Sequence, residues 1–119
     1  MGKAIVLFGH GSRDPLWRLP MESVATRLRA AQPGTPVRCA YLELEAPDLA
    51  SAVRELVADS ADQLTIVPMF LGTGRHARED LPLLVRALEA EFPAVAFVLQ
   101  KPVGEDHRLL ELISKIALE

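Results

Sequence analysis

The chain contains very little cysteine, few aromatic residues and no long apolar run. Its single cysteine in 119 residues, Cys39, excludes an intrachain disulfide and any zinc site built from several thiolates. No apolar run is long enough to cross a bilayer, and the one that follows the first lysine is too short for a signal-peptide core. We therefore expect a cytoplasmic protein that has no membrane partner.

Positive charge is also in short supply. The 13 lysines and arginines are scattered along the chain, and the net charge is −3 at pH 7. Such a chain offers no basic surface for a phosphate backbone, so we expect no nucleic-acid partner. Hydrophobic residues make up 50% of the sequence, as in ordinary globular proteins. We predict one domain, residues 1–119, large enough to bury a core.

Apolar runs and helical stripes alternate along the sequence. Strands are predicted by the runs at residues 4–8, 37–42, 64–69 and 95–99. Between and after them, apolar residues recur at spacings of three and four, which predicts four helices. Strict alternation of this kind predicts an α/β fold. We expect a three-layer sandwich in which helices flank a four-stranded parallel sheet of order 2-1-3-4, with the second strand at an edge.

Proline and aspartate mark where the helices should begin. Pro20 is expected in the first turn of the first helix, and Pro47 or Asp48 at the start of the second. The third helix is expected to begin at Asp80 and Pro82, after a glycine-rich loop. Asp14 is likewise interpreted as a helix cap.

Two histidines and one glutamate follow predicted strands. His10 follows the first strand, Glu43 the second and His76 the third. In open α/β sheets, ligands bind beyond the carboxyl ends of the strands, so these residues should share one edge. Two imidazoles and a carboxylate suit Fe²⁺, Co²⁺, Ni²⁺ or Zn²⁺ better than Mg²⁺ or Ca²⁺. The alternative is that the histidines only cap helices or bond to loop carbonyls. His107, at the start of the last helix, is interpreted as a surface or capping residue.

Several polar residues of the same edge are candidates for binding an anion. Arg13, Arg75 and Arg78 are suitable partners for carboxylates, although each is also interpretable as a solvated loop arginine. Ser12 and Arg13 are placed to contact an anion at a helix N-terminus.

Other chemistries lack their motifs. The chain has no G-x-G-x-x-G, no Walker lysine, and no G-x-S-x-G around Ser12, which argues against a nucleotide site and a serine hydrolase. A histidine phosphatase needs an arginine directly before its histidine, and Gly9 stands there.

Three segments carry a family resemblance. They are Gly9-His-Gly-Ser-Arg-Asp-Pro15, Tyr41-Leu-Glu-Leu-Glu-Ala-Pro-Asp-Leu49, and Pro68-Met-Phe-Leu-Gly-Thr-Gly-Arg-His-Ala-Arg-Glu-Asp-Leu-Pro82. Together they resemble the small sirohydrochlorin chelatases of the CbiX/SirB type, nearly end to end. The resemblance implies a chelatase-like half-domain that inserts cobalt, iron or nickel into sirohydrochlorin without an organic cofactor.

The resemblance also implies roles for particular residues. His10 and His76 would be the metal-binding and proton-accepting pair, and Glu43 the acid of the cleft. The acidic substituents of the substrate would be bound by a set made of Ser12, Arg13, Gly74, Arg75 and Arg78.

The resemblance is to the short form of the family, which pairs as a homodimer. A flat macrocycle is also wider than the crevice at the carboxyl ends of the strands in one small domain, which favours a cleft shared between subunits. A different function class remains open, because the same histidines would serve a module that only binds and delivers Co²⁺ or Ni²⁺.

Overall fold

The computed structural model of this chain describes residues 2–119. Its strands are β1 (Gly2–Gly9), β2 (Val37–Tyr41), β3 (Ala61–Pro68) and β4 (Ala96–Leu99). Its α-helices are α1 (Leu19–Ala31), α2 (Leu49–Ala58), α3 (Arg75–Glu91) and α4 (His107–Ala117). A short 3₁₀ helix, η1 (Val103–Glu105), joins β4 to α4.

The four strands form one parallel sheet in the order β2-β1-β3-β4. The predicted fold class and strand order are confirmed, and β2 lies at an edge as expected. β1 is central because its apolar run is buried on both faces. Leu7 pairs in register with Cys39 of β2 and with Val67 of β3.

The two faces of the sheet carry separate cores. α2 and α3 pack on one face, over the even-numbered side chains of β1, including Val6 and Phe8. α1 packs on the other face, where Met21 and Ala25 contact the cluster around Leu7. Alternation along β1 separates these cores, since successive side chains of a strand point to opposite faces.

The predicted start of the third helix is wrong. α3 begins at Arg75, about one and a half turns before the expected start, and Gly74 precedes it with extended backbone. The stripe that α3 buries already includes Ala77 and Leu81, and this burial favours helix ahead of Pro82. Pro82 therefore lies inside the helix, exposed on its outer side, and Asp80 is not a cap.

Of the other predicted helix starts, those of α1 and α2 are confirmed, whereas the predicted cap at Asp14 is wrong. Pro20 lies in the first turn of α1, and the Asp48 carboxylate caps α2 by accepting the Ser51 N–H at 2.8 Å. Asp14 does not cap α1, because Arg18 occupies that position. Asp14 instead accepts the Leu16 N–H at 2.9 Å, which closes a local turn.

The last helix begins where expected. His107 is the first residue of α4, and the Asp106 carboxylate caps the helix. Within residues 2–119, no helix combines the length and apolar character needed to span a membrane.

Replacing Leu56 by alanine tests the larger core. Leu56 of α2 is fully buried, so we expect Leu56→Ala to lower the free energy of unfolding by about 2–5 kcal/mol. Leu83→Ala in α3 is the matched control, because Leu83 is 59% exposed, and its effect should stay within about 0.5 kcal/mol. Urea unfolding followed by circular dichroism measures both. Equal losses in the two variants would contradict this packing.

Candidate functional site

The carboxyl ends of β1 and β2 continue to pair beyond the strands. The Leu42 N–H donates to the Gly9 carbonyl at 2.9 Å, and the Glu43 N–H donates to the His10 carbonyl at 3.0 Å. On the other side of β1, the Met69 N–H donates to the Phe8 carbonyl at 2.7 Å. The loops after β1, β2 and β3 therefore start side by side at one edge of the sheet.

Gly11 lets the first two of these loops approach closely. Its φ is +100°, a conformation that side chains disfavour, and a Cβ here would lie 1.8 Å from the Glu43 carbonyl oxygen. Only glycine permits both the turn and the contact. The backbone after His10 is thereby held against the backbone of Glu43.

His10 and Glu43 are joined through their side chains. His10 Nε2 lies 2.9 Å from Glu43 Oε1, and the two side chains are 51% and 57% exposed. A neutral imidazole carries the proton on one ring nitrogen and a lone pair on the other, and that lone pair can bind a metal ion or a proton.

Glu45 supports this pair from below, and sequence reasoning missed it. Its side chain is only 7% exposed; it accepts the Ser12 N–H at 3.1 Å and faces Arg18 Nη1 at 3.3 Å. The hydrogen bond to Glu45 raises the pKa of Arg18. Leu44, whose φ is +66°, separates Glu43 from Glu45 at a sharp bend in the loop. The spacing of two glutamates was a visible signal, but it does not say which one is buried.

Tyr41 is buried at the end of β2 and packs against Trp17 of the loop after β1. The residue is 3% exposed, and its ring centroid lies 6.2 Å from that of Trp17. Burial raises the pKa of Tyr41 to about 12, so the phenol is neutral at physiological pH. It supplies packing for the loop after β1 without adding a charge.

His76 lies in the first turn of α3, at the end of the loop that follows β3. Its residue is exposed, as is that of His10. In the described part of the chain, no hydrogen bond or ion pair joins His76 to His10 or Glu43, and no group of three or more His, Cys, Asp or Glu side chains is arranged to hold a metal ion. The structure thus joins two of the three predicted residues, whereas His76 stands apart on a separate element.

The predicted substrate-binding residues lie in the loop after β1 and at the start of α3. Ser12 lies in the loop after β1, and its hydroxyl accepts the Asp14 N–H at 3.0 Å. Arg13 is exposed in the same loop. Gly74 precedes α3, where the helix presents unpaired backbone N–H groups.

The two arginines of α3 have local partners. Arg75 Nε lies 3.1 Å from Glu79 Oε1, and Arg78 Nη1 donates to the Thr73 carbonyl at 3.2 Å. The Arg75 pair is exposed on both sides, so it stabilises the chain little and is readily exchanged for another carboxylate.

Apolar side chains also project from these three loops, which the sequence reasoning did not anticipate. Leu16 is 68% exposed and Trp17 39% in the loop after β1, Leu44 is 53% exposed after β2, and Leu71 is 66% exposed after β3. Exposed apolar side chains on loops that also carry exposed polar ones are typical of a ligand-binding surface.

Comparison with known proteins shows which family this chain belongs to. The sequence model of the CbiX family matches residues 4–119. The chain belongs to the CbiX family. It is 34% identical to the sirohydrochlorin cobaltochelatase of Methanopyrus kandleri, over 92% of this chain and 91% of that protein. It is 28% identical to the sirohydrochlorin ferrochelatase of Bacillus subtilis, over 95% of this chain and 43% of the relative.

The fold of this CbiX chain matches a solved structure of the family. The crystal structure of a cobalamin (vitamin B12) biosynthesis CbiX protein from Marinobacter aquaeolei superposes with a TM-score of 0.81 and 34% identity. The match covers 97% of this chain and 93% of that one. Family members differ in length, since the chain spans 36% and 62% of two other cobaltochelatases.

Replacing Gly11 tests the close approach of the two loops. Gly11→Ala should lower the free energy of unfolding by at least about 1 kcal/mol, because the methyl group meets the Glu43 carbonyl in a backbone conformation that alanine disfavours. Gly34→Ala is the control, since a Cβ there has open space around it. Urea unfolding compares the two variants. A stable Gly11→Ala chain would show that the loops do not touch.

Replacing Glu45 tests the buried support. Glu45→Ala leaves the Ser12 N–H without its acceptor and leaves Arg18 with the exposed Glu22 carboxylate at 3.1 Å, which should cost about 1–3 kcal/mol. Glu55→Ala is the control, because Glu55 is 65% exposed and lies 3.8 Å from Arg38, a contact that contributes at most about 1 kcal/mol. Thermal or urea unfolding at neutral pH measures both. An equal and small effect would assign Glu45 no structural role.

Proposed function

We propose that this CbiX chain inserts a divalent metal ion into sirohydrochlorin, with cobalt as the favoured metal and iron or nickel as alternatives. The observation that carries the proposal is the His10–Glu43 pair, 2.9 Å apart at the carboxyl edge of the sheet, in a member of this family. The relatives named as cobaltochelatase and ferrochelatase support cobalt and iron. We expect the enzyme to act in the cytoplasm and to need no organic cofactor.

The reaction sets the demands on the site. Sirohydrochlorin carries two pyrrole N–H groups, and a divalent ion that replaces both protons leaves the total charge unchanged. The site must therefore strip water from the metal ion and accept two protons for each ion inserted. Neutral imidazole is suited to both tasks, since its pKa lies close to physiological pH.

We assign two successive roles to His10, which are to bind the metal ion and to accept a pyrrole proton. In the tautomer with its proton on Nε2, 2.9 Å from Glu43, the Nδ1 lone pair would ligate the metal or take a pyrrole proton. Once the ring is protonated, Glu43 stabilises the imidazolium and passes a proton to solvent. The exposure of both side chains suits this last step, because water reaches them directly.

His76 is proposed as the second metal ligand. It lies in the first turn of α3, after the loop that follows β3, so metal and macrocycle would lie between it and His10. Two ligands from different elements leave several positions of the ion open. An ion bound in this way is released to the macrocycle more readily than one enclosed by four protein ligands.

The remaining groups of the edge are proposed to orient the macrocycle. The acetate and propionate groups of sirohydrochlorin would bind Arg13, Arg75 and Arg78, together with Ser12 and the backbone at Gly74. The flat apolar ring would rest on exposed side chains of the loops, among them Leu16, Trp17, Leu44 and Leu71. A homodimer, in which a second copy covers the macrocycle, completes the proposal.

Metallation kinetics test this function. Anaerobic absorbance of purified protein with sirohydrochlorin and Co²⁺, Fe²⁺ or Ni²⁺ in turn should show metallation faster than without protein. We expect His10→Ala and His76→Ala each to lower the rate by about 100-fold or more, since each removes a ligand and a proton acceptor. Glu43→Gln should keep a side chain of the same size beside His10 and lower the rate about tenfold or more, because the imidazolium is no longer stabilised by a charge.

The third histidine supplies the control. His107→Ala, at the start of α4, should leave the rate unchanged. If metal binds to His10 and His76 but metallation never exceeds the rate without protein, the chain is a delivery module and the proposed activity is wrong. Equal losses in all three histidine variants would remove the special role of His10 and His76.

A further inference from the structure

α4 exposes an apolar stripe that no other element of residues 2–119 buries. Leu109, Leu112, Ile113 and Ile116 recur at helical spacing, yet no residue of α4 is buried. The exposed fractions are 54% for Leu112, 39% for Ile113 and 58% for Ile116. A helix with one apolar and one polar face normally buries the apolar face against a neighbouring element. Here α4 packs mainly against the short η1.

A second uncovered surface lies on the sheet. α1 covers the β2 and β1 half of its face, but no helix of the described residues lies over the β3 and β4 half of that face. Val98 of β4 is consequently 54% exposed, although its strand lies in an apolar run. An open groove of about 520 Å³ lies over β1 and β3, lined mostly by apolar residues that include Ile5, Val24, Val67 and Met69. Val98 borders this groove, because it pairs in register with Thr65 of the groove lining.

The accessible surface area and the radius of gyration are both larger than those of a compact chain of this size. A compact monomer of 13.0 kDa exposes about 6,300 Å², whereas this chain exposes 7772 Å². Its radius of gyration is 14.6 Å, against about 13.5 Å for a compact chain of this length. The excess area of roughly 1,400 Å² is larger than the about 800 Å² that one partner contributes to a standard interface.

The connection before α4 directs the helix away from its own groove. The Gly104 N–H donates to the Phe70 carbonyl at 2.9 Å, and a Cβ at Gly104 would lie 1.7 Å from the Leu71 carbonyl oxygen. η1 is thus seated on the loop after β3. Asp106 then caps α4 by accepting the Arg108 N–H at 2.9 Å. Only Leu109, at the start of α4, reaches the rim of the groove.

We propose that α4 packs into this groove on a second copy of the chain, and that the second copy returns its own α4 in the same way. The exchange pairs the two uncovered apolar surfaces and creates two identical contacts related by a twofold axis, which is the usual form of a homodimer. The inference rests on the homodimer of the proposed function and adds the surface that forms it.

Size measurements on charged variants test the exchange. Light scattering coupled to gel filtration should give twice the 13.0 kDa chain mass for the native protein. Ile116→Lys in the stripe and Val98→Glu in the sheet should each weaken the dimer at least tenfold. Both side chains are exposed within one copy, so each variant should remain folded by circular dichroism. Ser114→Lys, which places the same charge on the exposed polar side of α4, is the control and should leave the dimer intact.

Mixing the two weakened variants, Ile116→Lys and Val98→Glu, gives a sharper result. In a mixed dimer, one α4 contact is native, and the other places the introduced lysine of one copy opposite the introduced glutamate of its partner. The mixture should therefore form more dimer than either variant alone. Failure to do so would contradict an exchange between these two surfaces.

Cross-linking decides whether α4 crosses to the partner. In a Cys39→Ala background, Ile113→Cys with Val98→Cys provides one thiol on α4 and one on the sheet, for treatment with a bis-maleimide at low protein concentration. Exchange predicts a covalent dimer on a denaturing gel. A link within a single chain, or no link, would overturn the proposal. A monomeric native protein would remove the homodimer itself. A native-like dimer of Ile116→Lys and Val98→Glu would retain the homodimer and reject only this surface.

Discussion

The candidate site depends on one backbone contact, the approach of Gly11 to the Glu43 carbonyl. Parallel pairing of β1 with β2 brings the two loops to the same level, and the absence of a side chain at Gly11 allows them to touch. His10 precedes Gly11, and Glu43 is itself part of the contact, so the two side chains approach to 2.9 Å. A bulkier residue at position 11 would separate them even if both functional groups were present.

The exposed pair is supported by a buried polar layer. Glu45 is almost entirely enclosed and ties the loop after β2 to the backbone at Ser12 and to Arg18. Tyr41 stays neutral beneath the same loops. This division is physically sensible, because groups that exchange protons and metal ions need water, whereas the groups that position them are more rigid when water is excluded. The groups proposed to react are therefore held by a positioned support.

The surfaces left open by one copy explain why this small chain is proposed to act as a pair. A macrocycle is broad relative to three short loops, and the apolar stripe of α4 has no cover within residues 2–119. In the proposed dimer, a second copy would cover the apolar stripe of α4 at one place and the macrocycle at another. Exchange of α4 would hold two sheets at a fixed distance, and the macrocycle would bind between edges whose separation the exchange determines.

The α/β class, the strand order, the strands to within about three residues at each end, and the sheet edge that carries the loops of His10, Glu43 and His76 could all be predicted from the sequence. These follow from local apolar patterns and from chain connectivity, which are properties of neighbouring residues. Three further points depend on contacts between distant residues and could not be predicted. Burial of Ala77 and Leu81 moved the start of α3 ahead of Pro82, which placed His76 on the helix. Packing of the loop after β2 enclosed Glu45 and exposed Glu43, two glutamates that look alike in sequence. The direction of α4 depends on how η1 packs against the loop after β3, where Gly104 contacts the Leu71 carbonyl. These two residues are distant along the chain.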